Sequence, residues 1–390
     1  MNPIKKIQGD KVIWIIVLML SLFSIAVVYS SVAQIAFRYR GGNTAYYLVK
    51  HTLIIGFGFV LMYLTHKVRY TYFSRLSQIG VWAAAPLLLY TLLRGVSAGE
   101  APRWLEIPGT GLTFQTSDFA KLALIIYVAR ILAVKQGEFN EFKTVFIYLL
   151  LPIGIICGLI FPANFSTAAL LFFVCFLLMF IGKVPMKYLL SILGGGIVFI
   201  GLLALLIAKF PDAVPRGQTW KSRIESFASG SAEENYQAEQ AKIAIGTSGI
   251  IGKGPGGSTQ RGFLPQASSD FVFAILIEEY GLAAGGLIVL LYLILFFRGI
   301  RIAQNSEKVF GTLMVFGLCF SLVFQAMVNM GVAVNLFPVT GQPLPFISMG
   351  GTSIWFTSIT IGIILSVSRH VGKDAPAGEE GEKGGVFAAA

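Results

Sequence analysis

Apolar runs of about 20 residues recur along almost the whole chain, the length a helix needs to cross a bilayer. Ten can be marked, at 12–32, 46–64, 73–93, 118–135, 144–162, 166–182, 187–208, 271–297, 309–336 and 344–368. They are continuous rather than alternating, which argues against a membrane β-barrel. Helices remain as the way to satisfy the backbone in lipid. With 55% hydrophobic and 13% charged residues, the chain lies far from the soluble average of about 25% charged. The sequence therefore predicts an all-α polytopic membrane protein with ten transmembrane helices. A large extracytoplasmic loop, 210–270, separates spans 7 and 8. Residues 1–371 read as one membrane domain. The Gly, Ala and Glu rich tail, 372–390, reads as disordered and cytoplasmic, and its last residues as a cloning scar.

The net charge of +11 does not point to nucleic acid, because the cations punctuate the gaps between apolar runs. Lys67, Arg69 and Arg75, then Arg130, Lys135 and Lys143, then Lys183 and Lys187, then Arg298, Arg301 and Lys308 mark one side, together with Lys5, Lys6, Lys11, Arg369 and Lys373. By the positive-inside rule that side is cytoplasmic, which places both termini inside and the 210–270 loop outside. The first run is too long for a signal h-region and reads as a retained span. Cys157, Cys175 and Cys319 all fall inside apolar runs, so neither a disulfide framework nor a zinc site is expected.

A polar segment as long as 211–269 between membrane spans points to function. It ends at Asp270, just before the apolar run that opens at Phe271. Ser269 and Asp270 suit helix capping. A carboxylate at the edge of lipid also suits a general base, since partial burial raises its pKa; the two roles are compatible. Glu278 and Glu279, two turns further on, are expected to line a cleft or pair with cations, with structural pairing expected for at least one. Asp118 and Lys121 share a helix face at i,i+3, either as a local ion pair or with Lys121 offered to an anionic substrate. Arg103 and Trp104 lie in the preceding outer loop. Within the large loop, Arg223, Lys253 and Arg261 supply cations, Gln237 a polar group, and residues 246–257 exposed amides suited to phosphate. The string Gly252-x-Gly254-x-x-Gly257 follows no strand, and Thr247 and Gly254 break a Walker A pattern, so no nucleotide loop is read here. Pro343, Pro345 and Ser348, near Gly350 and Gly351, predict a kinked or re-entrant segment lining a cavity.

Taken together, these pieces resemble the SEDS (shape, elongation, division and sporulation) family of ten-span peptidoglycan glycosyltransferases. The most specific are Asn235–Tyr236–Gln237 leading into Ala244–Ile245–Gly246, Leu264–Pro265 through Asp270–Phe271, Glu278–Glu279, and residues 338–348 with Gly350–Gly351. The last string looks most like the cell-division member; the elongation member is the alternative. Gln115–Thr116–Ser117–Asp118 stands where the family has Gln-Pro-Ser-Glu, Asn164 where it has an aspartate, and Gln266 where it has a glutamate. The resemblance implies polymerisation of lipid II into glycan strands on the outer face of the cytoplasmic (inner) membrane, with Asp270 catalytic. Lys121, Asp118, Arg103, Arg223, Lys253, Arg261 and Gln237 become candidates for binding substrate and its undecaprenyl pyrophosphate group. It also implies a class B penicillin-binding transpeptidase partner among other division-complex membrane proteins. A divalent cation, Mg or Mn, could assist the diphosphate, although no protein metal cage is visible. The rival readings are a lipid II flippase and a membrane scaffold for a division complex.

Overall fold

The computed structural model describes residues 8–32, 37, 42–97, 102–107, 109, 112–213, 216–229, 236–264 and 267–374. The helices are α1 Lys11–Ser31, α2 Thr44–Lys67, α3 Tyr70–Arg94, α4 Thr116–Val134, α5 Phe142–Ile160, α6 Phe165–Ile181 and α7 Met186–Lys209, followed by α8 Gly217–Ser229, α9 Tyr236–Gly246, α10 Val272–Gln304, α11 Val309–Ala333 and α12 Thr352–Asp374. Among the described residues, eight helices are long and apolar enough to span a membrane. They are α1, α2, α3, α5, α7, α10, α11 and α12. The apolar α6 is shorter, and α4 carries Asp118, Lys121 and Arg130. The protein is thus a polytopic, mainly helical membrane protein.

Small residues set the closest helix approaches, as expected where lipid gives no hydrophobic drive between helices. A Cβ on Gly58 of α2 would lie 2.7 Å from Ser358 Oγ, and one on Gly362 of α12 would lie 2.7 Å from Met62 O. Helix α10 packs along α11 and α1, and α11 also packs on α4. Helix α7 is the outlier: only 6% of its apolar window is buried, and Leu189 and Ile207 are its buried residues. The π turn at Phe146–Leu150 interrupts α5.

Three features depart from the sequence expectation. A small antiparallel sheet, β1 Val96–Ser97, β2 Pro102–Ile107 and β3 Leu112–Gln115, stands between α3 and α4, with Trp104 paired to Gln115 and Leu105 to Phe114. The expected start of the last span at 344 is corrected to Thr352, because Pro343, Pro345, Gly350 and Gly351 hold residues 337–351 out of a helix. Helix α12 also continues through residues 372–374, placed in the tail by sequence; the remainder of that tail lies outside the described residues.

Helix α10 breaks at Gly281, with φ 82° and ψ 173°. Across the break, the Leu282 and Ala283 amides do not reach the Glu278 and Glu279 carbonyls, their partners in an unbroken helix. Instead, Leu282 N donates to Gly249 O (3.1 Å) and Ala283 N to Ile250 O (3.2 Å). Lys253 N donates to Glu278 O and Gly254 N to Glu279 O, both at 2.9 Å. The glycine-rich loop is spliced into the gap, and four backbone groups buried by the break find partners. Two glycines make room. A Cβ on Gly281 would stand 2.5 Å from the Ile250 carbonyl carbon, and one on Gly252 (φ 88°) would stand 2.5 Å from Gly281 N.

Candidate active site

Asp270 ends the stretch 267–270, which lies beside the non-helical segment 341–349. Met349 N donates to Ser268 O (2.9 Å), and Ser348 Oγ donates to Ser269 O (2.6 Å) while accepting from Leu344 N (2.7 Å). Asn329 of α11 binds both stretches, its Nδ2 donating to Asp270 O and to Gln342 O at 2.8 Å each. The prolines and glycines that end the helix therefore build a rigid seat for the Asp270 backbone. Phe271, not Asp270, takes the N-cap position of α10.

The half-buried Asp270 side chain and Arg103 both lie close to Gly341. A Cβ on Gly341 (φ 66°) would lie 3.6 Å from Asp270 Oδ2 and 3.9 Å from Arg103 Nη1. Strand β2 presents Arg103, and Arg103 Nε donates to Ala163 O at 2.9 Å. Arg216 Nη1 donates to the same carbonyl at 2.9 Å. Arg216 has φ 64°, a strained conformation for a residue other than glycine and one that clusters at functional sites. Both arginines border a groove of about 500 Å³ between α6, α7 and α11. Its wall is largely apolar, with Leu170, Phe173, Leu203 and Phe324, and Trp220 of α8 stands at the same end against Phe161 and Phe165. Arg216 was not among the residues singled out from sequence; the one hint was a cation opening the helix after Pro215.

Lys121 and Asp118, expected at the substrate, lie in a buried network. Lys121 Nζ is 3.0 Å from Asp118 Oδ1 and donates to Gln325 Oε1 at 3.0 Å. Asp118 also accepts from Ser353 Oγ, and Gln325 Nε2 donates to Pro343 O (2.8 Å). A cavity of about 50 Å³ adjoins these groups and is lined by Pro343, Pro345 and Ser348, large enough for ordered water. Among the described bonds, Lys121 is linked toward Asp270 through Gln325, Pro343 and Ser348.

Lys253 and Arg261 form a second cluster. Glu278, with 0% exposure, accepts from Lys253 Nζ (2.6 Å), Thr259 N (3.1 Å), Thr259 Oγ1 (2.8 Å), Gln260 N (3.2 Å) and Ser258 Oγ. Glu279 accepts from Ser30 Oγ of α1, which in turn accepts from Arg261 Nη1 (2.8 Å). The two cations are engaged in anchoring the loop, and the carboxylates have the structural pairing that burial demands. Gln237 is half-buried in α9, whose Ala238, Ala241 and Ala244 are buried; no described contact joins it to Asp270. Arg223 lies in α8, and its side chain is outside the described residues, as are Asn235, Pro265 and Gln266. Among the described residues, no group of three or more His, Cys, Asp or Glu side chains converges as a metal site would require.

Comparison with known proteins shows the family. Residues 10–373 match the cell cycle protein family of FtsW, RodA and SpoVE. The chain is 30% identical to stage V sporulation protein E of Bacillus subtilis over 94% of this chain and 98% of the relative. It is 31% identical to a probable peptidoglycan glycosyltransferase FtsW of Geobacter metallireducens over 93% and 95%. Among solved structures, a chain of a peptidoglycan synthase complex that coordinates polymerization and crosslinking superposes with a TM-score of 0.75 at 22% identity, covering 94% of this chain and 99% of that one. The rod shape determining protein RodA of Thermus thermophilus superposes with a TM-score of 0.65 at 23% identity, covering 94% and 98%. With a family match over nearly its whole length and relatives at this level of identity, the chain belongs to the FtsW/RodA/SpoVE family of cell cycle proteins, the family its motifs resemble.

Proposed function

We propose that the protein is a peptidoglycan glycosyltransferase that polymerises lipid II into glycan strands at the outer face of the cytoplasmic membrane, in septal wall synthesis. The observation that carries this reading is that Asp270 and Arg103 both lie close to Gly341, with Arg103 also bordering the apolar groove of about 500 Å³. Asp270 acts as general base and takes the proton of the acceptor sugar's 4-hydroxyl. That oxygen attacks the donor's anomeric carbon, the bond to the pyrophosphate oxygen breaks, and undecaprenyl pyrophosphate departs. Arg103 and Arg216 stabilise the charge that develops on the leaving group. The groove between α6, α7 and α11 receives a polyprenyl tail. The ten-span topology counts α4 and α6 with the eight longer apolar helices, puts both termini in the cytoplasm and turns Asp270 outward. A class B penicillin-binding transpeptidase is the partner; the synthase-complex neighbour supports that choice.

The test uses the purified protein, its transpeptidase partner and labelled lipid II. Glycan strands form with the wild type, and Asp270→Asn abolishes them while the protein elutes and melts as the wild type does. Full polymerisation by that variant would refute the assignment. A flippase would instead transfer lipid II between leaflets with Asp270→Asn as well as without it. The polar groups around Asp270 lie at one end of the bundle, which favours the polymerase.

A further inference from the structure

The end of the bundle away from Asp270 holds a second polar cavity. Helix α1 carries Ser30 near the Glu279 cluster and Asp10 at its opposite tip, and α10 runs from beside Asp270 to the same tip. There, Gln8, Asp10, Arg298, Arg301, Asn305 and Arg369 line a cavity of about 550 Å³, within the roughly 300–1,000 Å³ common for small-molecule sites. Gly9, with φ 90°, lies against α12; a Cβ there would be 3.1 Å from Leu365 O.

The charge in this cavity is unbalanced. Among the described residues, three arginines face one aspartate, and that aspartate is engaged. Asp10 Oδ1 accepts from Val12 N (2.8 Å), and Oδ2 accepts from Arg298 Nε (2.7 Å). Arg369 spends one nitrogen on Lys67 O (2.9 Å). The C-terminal ends of α10 and α12 bring negative partial charge, and dipole compensation is the plain structural reason for arginine here. It applies to Arg301, which stands in the last turn of α10, but it gives that guanidinium no partner: Arg298 and Arg369 are held by Asp10 and Lys67 O, whereas the exposed Arg301 side chain makes no described contact.

The position of Arg301 identifies the ligand. On α10, Leu290, Leu293 and Phe297 are exposed, at 51%, 49% and 64%, in the stripe that a membrane helix turns to lipid. Arg301 follows Phe297 by one turn on that face, which sets its guanidinium at headgroup level. We propose that this cavity binds the phosphate of an anionic phospholipid headgroup, held by Arg301 and Arg369 with Asn305 and Gln8 as polar neighbours. Basic pockets at the cytoplasmic ends of membrane helices are suited to such lipids. Placement in the inner leaflet rests on the topology proposed above; the binding itself does not.

The test measures lipid retention by native mass spectrometry. Full-length protein is released from nanodiscs of mixed phosphatidylcholine and phosphatidylglycerol. The wild type keeps a bound phosphatidylglycerol. Arg301→Gln, which disturbs no described protein contact, weakens retention about 5-fold, and Arg301→Gln with Arg369→Gln about 30-fold, at roughly one surface-lipid charge interaction per arginine. Lys308→Gln, an exposed cation elsewhere at this end, changes nothing. Equal retention by the wild type and Arg301→Gln would overturn the proposal. So would full displacement of the lipid by inorganic phosphate, which would make the site one for a free anion. The readout needs no polymerase activity, so its failure leaves the reading of Asp270 untouched.

Discussion

Replacing Gly281 with alanine puts two structures in competition. Keeping the loop in the break leaves alanine in a backbone region open almost only to glycine, at about 1–3 kcal/mol. The new Cβ would also press on Ile250, at about 1–3 kcal/mol for overpacking. The alternative is to close the helix. Leu282 N and Ala283 N then bond to Glu278 O and Glu279 O, and the backbone of residues 249–254 is expelled while Ser258, Thr259 and Gln260 stay on the Glu278 carboxylate. That exchanges four bonds between segments for two within α10, a net loss of two, about 1–3 kcal/mol. Alanine's helix propensity returns up to about 1 kcal/mol. Expulsion is the cheaper outcome. In hydrogen exchange on the purified protein, the Lys253 and Gly254 amides should lose protection about 5- to 100-fold in Gly281→Ala. Leu282 and Ala283 should keep theirs, now inside a continuous helix. Gly286→Ala, in the same helix with nothing within 4 Å of its Cβ, should leave all four amides as in the wild type. If all four lose protection together, or none does, the competition argued here is wrong.

Gly341→Val should put a branched side chain between Asp270 and Arg103, at a backbone φ of 66° that disfavours it, and depress lipid II polymerisation at least 10-fold in the reconstituted assay while the thermal midpoint moves little. Lys121→Met should leave Asp118 buried without its cation and destabilise by about 3–5 kcal/mol in detergent unfolding. Adding Asp118→Asn should recover most of that loss, whereas a lysine that only contacts substrate would show no such rescue. Glu278→Gln should release residues 253–260 to proteolysis at a cost of about 1–3 kcal/mol, because one buried carboxylate serves five donors there.

The eight long apolar helices were legible because lipid imposes one requirement on every crossing segment, and a linear sequence states length and hydropathy directly. Asp270 was legible as a carboxylate at the edge of an apolar run, and the 341–351 segment as a place where proline and glycine forbid a helix. The state of each cation was not. Lys253 and Arg261 look the same in sequence whether they await a phosphate or hold Glu278 and Ser30, since their partners are 25 and 231 residues away. The same applies to Lys121, whose Gln325 partner is 204 residues distant. Arg216 escaped notice because its value lies in a backbone strain and a shared carbonyl at Ala163, neither of which composition encodes. The small sheet at 96–115 escaped because two- to six-residue strands in a polar connection give too little alternation to read.

The interlocking of the glycine loop with α10 also orders events at birth. Residues 249–254 leave the ribosome before 278–283, so the amides of Lys253 and Gly254 have no native acceptor until the later segment has been made. The loop therefore cannot mature as an independent module. Its docking and the insertion of α10 form one step in biogenesis, and a chain truncated between 254 and 278 would leave the loop without its anchor.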